Sequence, residues 1–169
     1  MKYASNSNQK GRPAHERYFE FAEAYRQAAM DFCTRMIGHE QELTWPNANV
    51  AMMLAAHSVE LFLKGAVLKR DPTAKLRSHN FEWLIERYTQ VVPEPELAFS
   101  QPFVSDYPGL GEEEASRLRL KEKDPSMVYR YPIEDPGVEW EGVHAFEPEG
   151  FFEMLDDLGE EFERLAGQI

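Results

Sequence analysis

The chain has one cysteine, no long apolar run and no excess of basic residues, and each shortage removes a class of protein. A lone Cys33 cannot close an internal disulfide or supply a cysteine-rich zinc site. Between Phe32 and Thr34 in a helical pattern, it reads as a small buried hydrophobe rather than a nucleophile. The longest unbroken apolar run, Val50 to Ala56, falls far short of the roughly 20 residues a bilayer span takes, so no membrane partner is expected. No basic start followed by an apolar run opens the chain, which makes the cytoplasm the expected location. A net charge of −12 opposes broad attraction to nucleic acid. The sequence also holds no glycine-rich phosphate loop, no glycine-flanked serine elbow and no histidine zinc motif. Ser58 beside His57 does not make a catalytic pair, because successive helical residues point about 100° apart.

At 169 residues and 43% apolar content, the chain can bury the core of one domain. Its charge is unevenly spread. From Tyr131 to Ile169 twelve acids face Arg164 alone, whereas Lys64, Lys69, Arg70, Lys75 and Arg77 lie in one short stretch against Asp71 alone. That stretch can form a local positive patch or a merely solvated helix end.

The most apolar segment is Asn47 to Arg70, with Val50, Met52, Leu54, Val59, Leu61, Phe62, Leu63, Val67 and Leu68 covering most of a helical circumference. A helix apolar nearly all round belongs at the centre of a bundle and should touch at least two others. Pro46 suits its first turn and Asn47 its cap, while Lys69 and Arg70 suit its negative end and Asp71-Pro72 stops it. Its one polar stripe is His57, Glu60 and Lys64. Glu60 and Lys64 stand i, i+4 in the favourable order for an ion pair, here bordering a core or an interface. His57-x-x-Glu60 lacks the further ligands a helix-bundle metal site needs, so neither a metal nor a cofactor is expected.

Residues 1–12 read as a flexible polar arm, and 13–169 as the single domain. The first helix is expected over Pro13 to Leu43, with Tyr18, Phe21, Tyr25, Ala29, Phe32 and Met36 facing in, His39 extending the stripe, and Arg26 outside it. The short link through Trp45 favours an antiparallel second helix. A third helix follows from Ser78 or Asn80 through Phe81, Leu84, Ile85, Tyr88 and Val91 to Pro93. Residues 99–146 form an irregular insertion with a short helix around Gly111 to Glu122. Met127 to Tyr131 has strand composition and can pair with Val138 to Phe146 as a hairpin. The last helix opens near Pro148, its stripe Phe151, Phe152, Leu155, Leu158, Phe162 and Leu165 lying opposite an acidic face.

Ala55-Ala56-His57-Ser58-Val59-Glu60-Leu61-Phe62-Leu63-Lys64-Gly65, followed by His79-Asn80-Phe81-Glu82-Trp83-Leu84, resembles the HEPN superfamily (higher eukaryote and prokaryote nucleotide-binding). Tyr129-Arg130-Tyr131-Pro132 is similar to a segment of some bacterial members. The resemblance implies an all-α fold, an antiparallel up-and-down four-helix bundle, often dimeric, serving in bacterial defence, stress or toxin–antitoxin systems. Many members are metal-independent ribonucleases with Arg-x(4–6)-His near the last helix. No such spacing occurs here: Arg35 and His39 have three residues between them, Arg77 and His79 one, Arg70 and His79 eight. No catalytic residue is therefore assigned. The expected function is a non-catalytic binding module whose partner is a second copy, a companion protein such as a nucleotidyltransferase, or a nucleotide or RNA phosphate.

An anion would be held by Lys69, Arg70, Lys75, Arg77, His79, Asn80 and Arg130, where backbone N–H groups open the third helix. Two alternatives remain open. One is a ribonuclease with a non-standard site of Arg77, His79 and Arg130, and the other is a purely structural subunit of a larger complex.

Overall fold

The computed structural model describes residues 4–100, 102–103, 109–119 and 145–169, and every regular element among them is helical. Among these residues five α-helices run in order: α1 (Ala14–Gly38), α2 (Trp45–Arg70), α3 (Phe81–Val91), α4 (Glu112–Arg119) and α5 (Pro148–Gln168). The expected hairpin and Arg130 lie outside the described residues. Within the twelve residues read as an arm, Asn6–Gln9 form a 3-10 turn. Gln9 Nε2 donates to Glu20 at 2.8 Å, and Arg12 pairs with Glu16 and Glu20.

α2 is the hub, packing against α1, α3 and α5. By length and composition it could cross a bilayer, yet 72% of its most apolar window is buried inside the fold, which marks it as a core helix. The cap is Thr44, not Asn47: the Thr44 side chain accepts from Asn47 N–H, and Pro46 sits in the first turn, where a missing N–H is harmless. Asn47 instead donates to the Glu42 carbonyl at 2.8 Å, tying the helix to the Glu40–Glu42 turn before it. α2 stops at Asp71, whose carboxylate accepts from the N–H and hydroxyl of Thr73 and bends the chain away.

α1 packs on α2 through small residues. Its buried face is Ala22, Arg26, Ala29, Cys33 and Met36, and α2 offers Ala48, Ala51, Ala55, Ser58 and Gly65. Ser58 Oγ donates to the Ala22 carbonyl at 2.8 Å, and a Cβ on Gly65 would lie 2.9 Å from the Phe19 ring. This close approach rotates α1 from the expected orientation. The bulky residues cannot fit between two near-touching backbones, so Phe21 stands 51% exposed, Tyr25 and Phe32 are half-buried, and Cys33 moves into the seam. His39 ends α1 in extended backbone and is exposed rather than continuing the stripe. Arg26, expected outside, is 7% exposed. Its guanidinium holds Glu23 and donates to the Leu155 carbonyl of α5 at 2.8 Å, lying over Gly159 where a Cβ would come within 2.6 Å.

The core beneath is aromatic. Phe62 of α2 stacks on Phe162 of α5 with ring centroids 4.0 Å apart, and Phe19 and Phe99 flank it. Tyr88 of α3 is buried and donates to the Leu97 carbonyl at 2.6 Å. α5 buries Leu155, Leu158, Phe162 and Leu165 of its expected stripe, leaves Phe151 and Phe152 half-buried, and holds Glu153, Asp156, Asp157, Glu160 and Glu163 in solvent.

Candidate functional site

Glu60 sits midway along α2 with only 2% of its surface exposed, and three polar side chains converge on it. Lys64, one turn on and itself buried, donates to Oε1 at 2.7 Å. His79, reached only after the chain has turned at Asp71, brings Nδ1 to the same Oε1 at 2.9 Å. His57, one turn back, places Nδ1 3.5 Å from Oε2, too long for a good hydrogen bond, and the Tyr25 ring of α1 lies edge-on against it. One carboxylate therefore gathers groups from α2 and the opening of α3. Burial alone would push its pKa up, but His57 and Lys64 outweigh that and hold it at about 2. The carboxylate is thus ionised, and an ionised carboxylate only accepts hydrogen bonds.

Of the polar stripe expected on α2, Glu60 and Lys64 are internal and His57 is half-buried, while their partner His79 reaches well into solvent, with 58% of its side chain exposed. His79 precedes Asn80, the cap of α3, whose Oδ1 accepts from Trp83 N–H at 2.8 Å, while Ser78 Oγ accepts from Asn80 N–H. The basic cluster is less concentrated than its spacing suggests. Lys69 donates to the Ala166 carbonyl at the end of α5, and Arg70 pairs with Glu94. Lys75 and Arg77 are exposed beside His79 in the sequence and carry no ion pair among the described residues. Of the expected anion site, then, Lys75, Arg77, His79 and the α3 opening remain available, and Arg130 lies outside the described residues.

No group of three or more metal-ligating side chains converges among the described residues. A shallow concavity near Ala28, Asp31, Phe32, Thr34 and Arg35 is walled by α1 alone, which gives a ligand nothing to close against. Cys33 is fully buried and its thiol is pushed up to about 11 by desolvation, so it is inert at neutral pH.

Arg26 and Gly159 escaped sequence reasoning. A guanidinium laid over a glycine has no spacing signal, since the two lie more than a hundred residues apart. The half-exposed apolar flank shared by α1 and α2 was partly legible as an excess of large residues. It comprises Phe21, Tyr25 and Phe32 on α1 with Val50, Met53, Leu54 and Leu61 on α2, and the Tyr25–His57 contact shows that the two strips adjoin. No family model, no curated protein and no solved structure matches this chain.

Proposed function

We propose that the chain is a HEPN-like antiparallel four-helix bundle, built from α1, α2, α3 and α5, that works as a non-catalytic binding module in a defence, stress or toxin–antitoxin type system. What supports the family reading is the meeting of its two motifs. Glu60 and Lys64 come from one, His79 from the other, and all three share a single carboxylate oxygen. What supports the antiparallel arrangement is that Tyr25, Ala22 and Phe19 of α1 meet His57, Ser58 and Gly65 of α2 in opposite order.

The observation that carries the binding function is the α1/α2 flank. Half-exposed apolar side chains run along both helices there, and a continuous strip of that kind is what one protein surface offers another. A second copy is the partner proposed, since a flank shared by two helices can pack on its own image across a two-fold axis. Light scattering at micromolar concentration should report about twice the chain mass of 19.6 kDa. A monomer at that concentration would remove the self-association and leave a companion protein, such as a nucleotidyltransferase, as the partner.

A second reading is favoured by Lys75 and Arg77, exposed next to the α3 opening and without acid partners among the described residues. There a nucleotide or RNA phosphate would be held by their charge, His79 and backbone N–H groups. Calorimetric titration of mononucleotides and short RNA into wild type and Arg77→Ala/His79→Ala at low and moderate salt tests it. The expected heat is lost in the variant and falls with salt, and identical heats from both proteins would eliminate the site. The missing Arg-x(4–6)-His spacing leads us to expect no metal-independent RNA cleavage. Cleavage that vanished in both Arg77→Ala and His79→Ala would instead install those residues as a non-standard ribonuclease site.

A further inference from the structure

We infer that His79 is a phosphoryl-acceptor site: its Nε2 is a nucleophile toward small activated phosphoryl donors such as phosphoramidates and acyl phosphates, and Glu60 positions the ring. The inference stands apart from self-association and from reversible nucleotide binding. It rests on the geometry of the Glu60–His79 pair.

Glu60 accepts a hydrogen bond at Oε1 from His79 Nδ1, 2.9 Å away. Because an ionised carboxylate cannot donate, the proton must be on Nδ1, and the neutral ring then carries its lone pair on Nε2. Burial is divided in the way a nucleophile requires. The carboxylate is 2% exposed, so its hydrogen bond is not diluted by water, while 58% of the histidine side chain faces solvent. Lys64 also binds this carboxylate oxygen, at 2.7 Å, so Glu60 keeps a counter-ion when His79 reacts. Two features favour an anionic electrophile. His79 stands one residue before the cap of α3, at the positive end of that helix dipole, and Arg77 and Lys75 add exposed positive charge.

The step is simple displacement. The Nε2 lone pair attacks phosphorus, the bond from phosphorus to the leaving group breaks, and that group departs with its electron pair. From zwitterionic phosphoramidate the leaving group is neutral ammonia, already carrying its protons. The product ring holds the phosphoryl group on Nε2 and the proton on Nδ1, and its positive charge faces Glu60. His15 and His39 provide comparison within the chain: neither is hydrogen-bonded to a buried carboxylate among the described residues, and His39 is exposed.

The experiment incubates the full chain with potassium phosphoramidate at neutral pH. It follows the gain of one phosphoryl group by intact mass, its position by fragmentation, and the ring nitrogen by phosphorus NMR. His79 should be modified first, on Nε2, and clearly faster than His15 or His39. Glu60→Gln should erase that preference while His15 and His39 keep their rates. Because Glu60→Gln also removes a core contact, wild type in urea is the parallel control, in which the histidines should react alike. Equal rates at His79, His15 and His39 in the folded protein, attachment at Nδ1, or a preference that persists in urea would each overturn the assignment.

Discussion

Glu60 shows how far a single residue type can be read and where reading stops. The i, i+4 spacing to Lys64 announced an ion pair, and the pair exists. Its burial, and the arrival of His79 on the same oxygen, depend on a turn at Asp71 that no spacing rule encodes. The energetic consequence is specific. In the folded chain the carboxyl titrates at about 2, against an ordinary value of 4.5. A depressed folded pKa gives stability that is fully present above the ordinary value and drains away as pH falls through the interval down to the folded one. Urea unfolding between pH 7 and pH 3 should therefore show a loss that Glu60→Gln reduces. The remainder comes from Glu20, Glu23 and Asp71, which their partners also hold below the ordinary range. An unchanged pH slope in Glu60→Gln would refute the assignment. Removing the cation is a different perturbation. Lys64→Met leaves a buried carboxylate short of its closest partner and should cost about 3–5 kcal/mol, part of which Glu60→Gln in the same chain restores. A single variant as stable as wild type would show that water reaches Glu60.

Among the helices, those whose burial is a plain stripe of large side chains were legible. α5 buries Leu155, Leu158, Phe162 and Leu165 and α3 buries Phe81, Leu84 and Tyr88, as their periodicity nominates, with Phe151, Phe152, Ile85 and Val91 half-buried at the edges. Asn80 caps α3 as its side chain allows. α1 was not read correctly, for a physical reason. Periodicity weights Phe21 and Tyr25 heavily, but a helix that approaches its neighbour closely must put Ala22, Ala29 and Cys33 in the seam and extrude the aromatics. Arg26 is the sharper case, because its burial is made possible by Gly159 and the Leu155 carbonyl on a helix far along the chain. Gly159→Ala would drive a methyl group into that guanidinium. We expect a loss of about 1–3 kcal/mol, read as a drop of about 2–4 °C in melting temperature for each kcal/mol. Arg26→Met should shrink the penalty of Gly159→Ala, since a flexible thioether can yield where a charged fork held at both ends cannot. An equal penalty in both backgrounds would place the strain elsewhere.

For the molecule as a whole, the all-helical class and the centrality of α2 followed from the sequence, because an apolar circumference has to be covered on several sides. The outer surface was harder to read, since exposure is settled by which neighbours are already in place. Leu61 illustrates this. On an apolar helix it looks interchangeable with Leu63, yet Leu63 is fully buried while Leu61 is only half-buried on the α1/α2 flank. The two kinds of position should respond differently. Leu63→Asp buries an unpaired charge and should cost several kcal/mol and the fold itself, seen as loss of helical circular dichroism. Phe21→Glu, at a site 51% exposed, should keep the helical signal but dissociate the proposed dimer to a single chain mass. Dissociation has its own thermal signature. A folded dimer melts at a temperature that climbs with protein concentration by mass action, so wild type should show that dependence and Phe21→Glu should lose it. A wild-type melting temperature that stays constant over a hundredfold dilution would mean the flank does not hold a second copy, whatever the variant does.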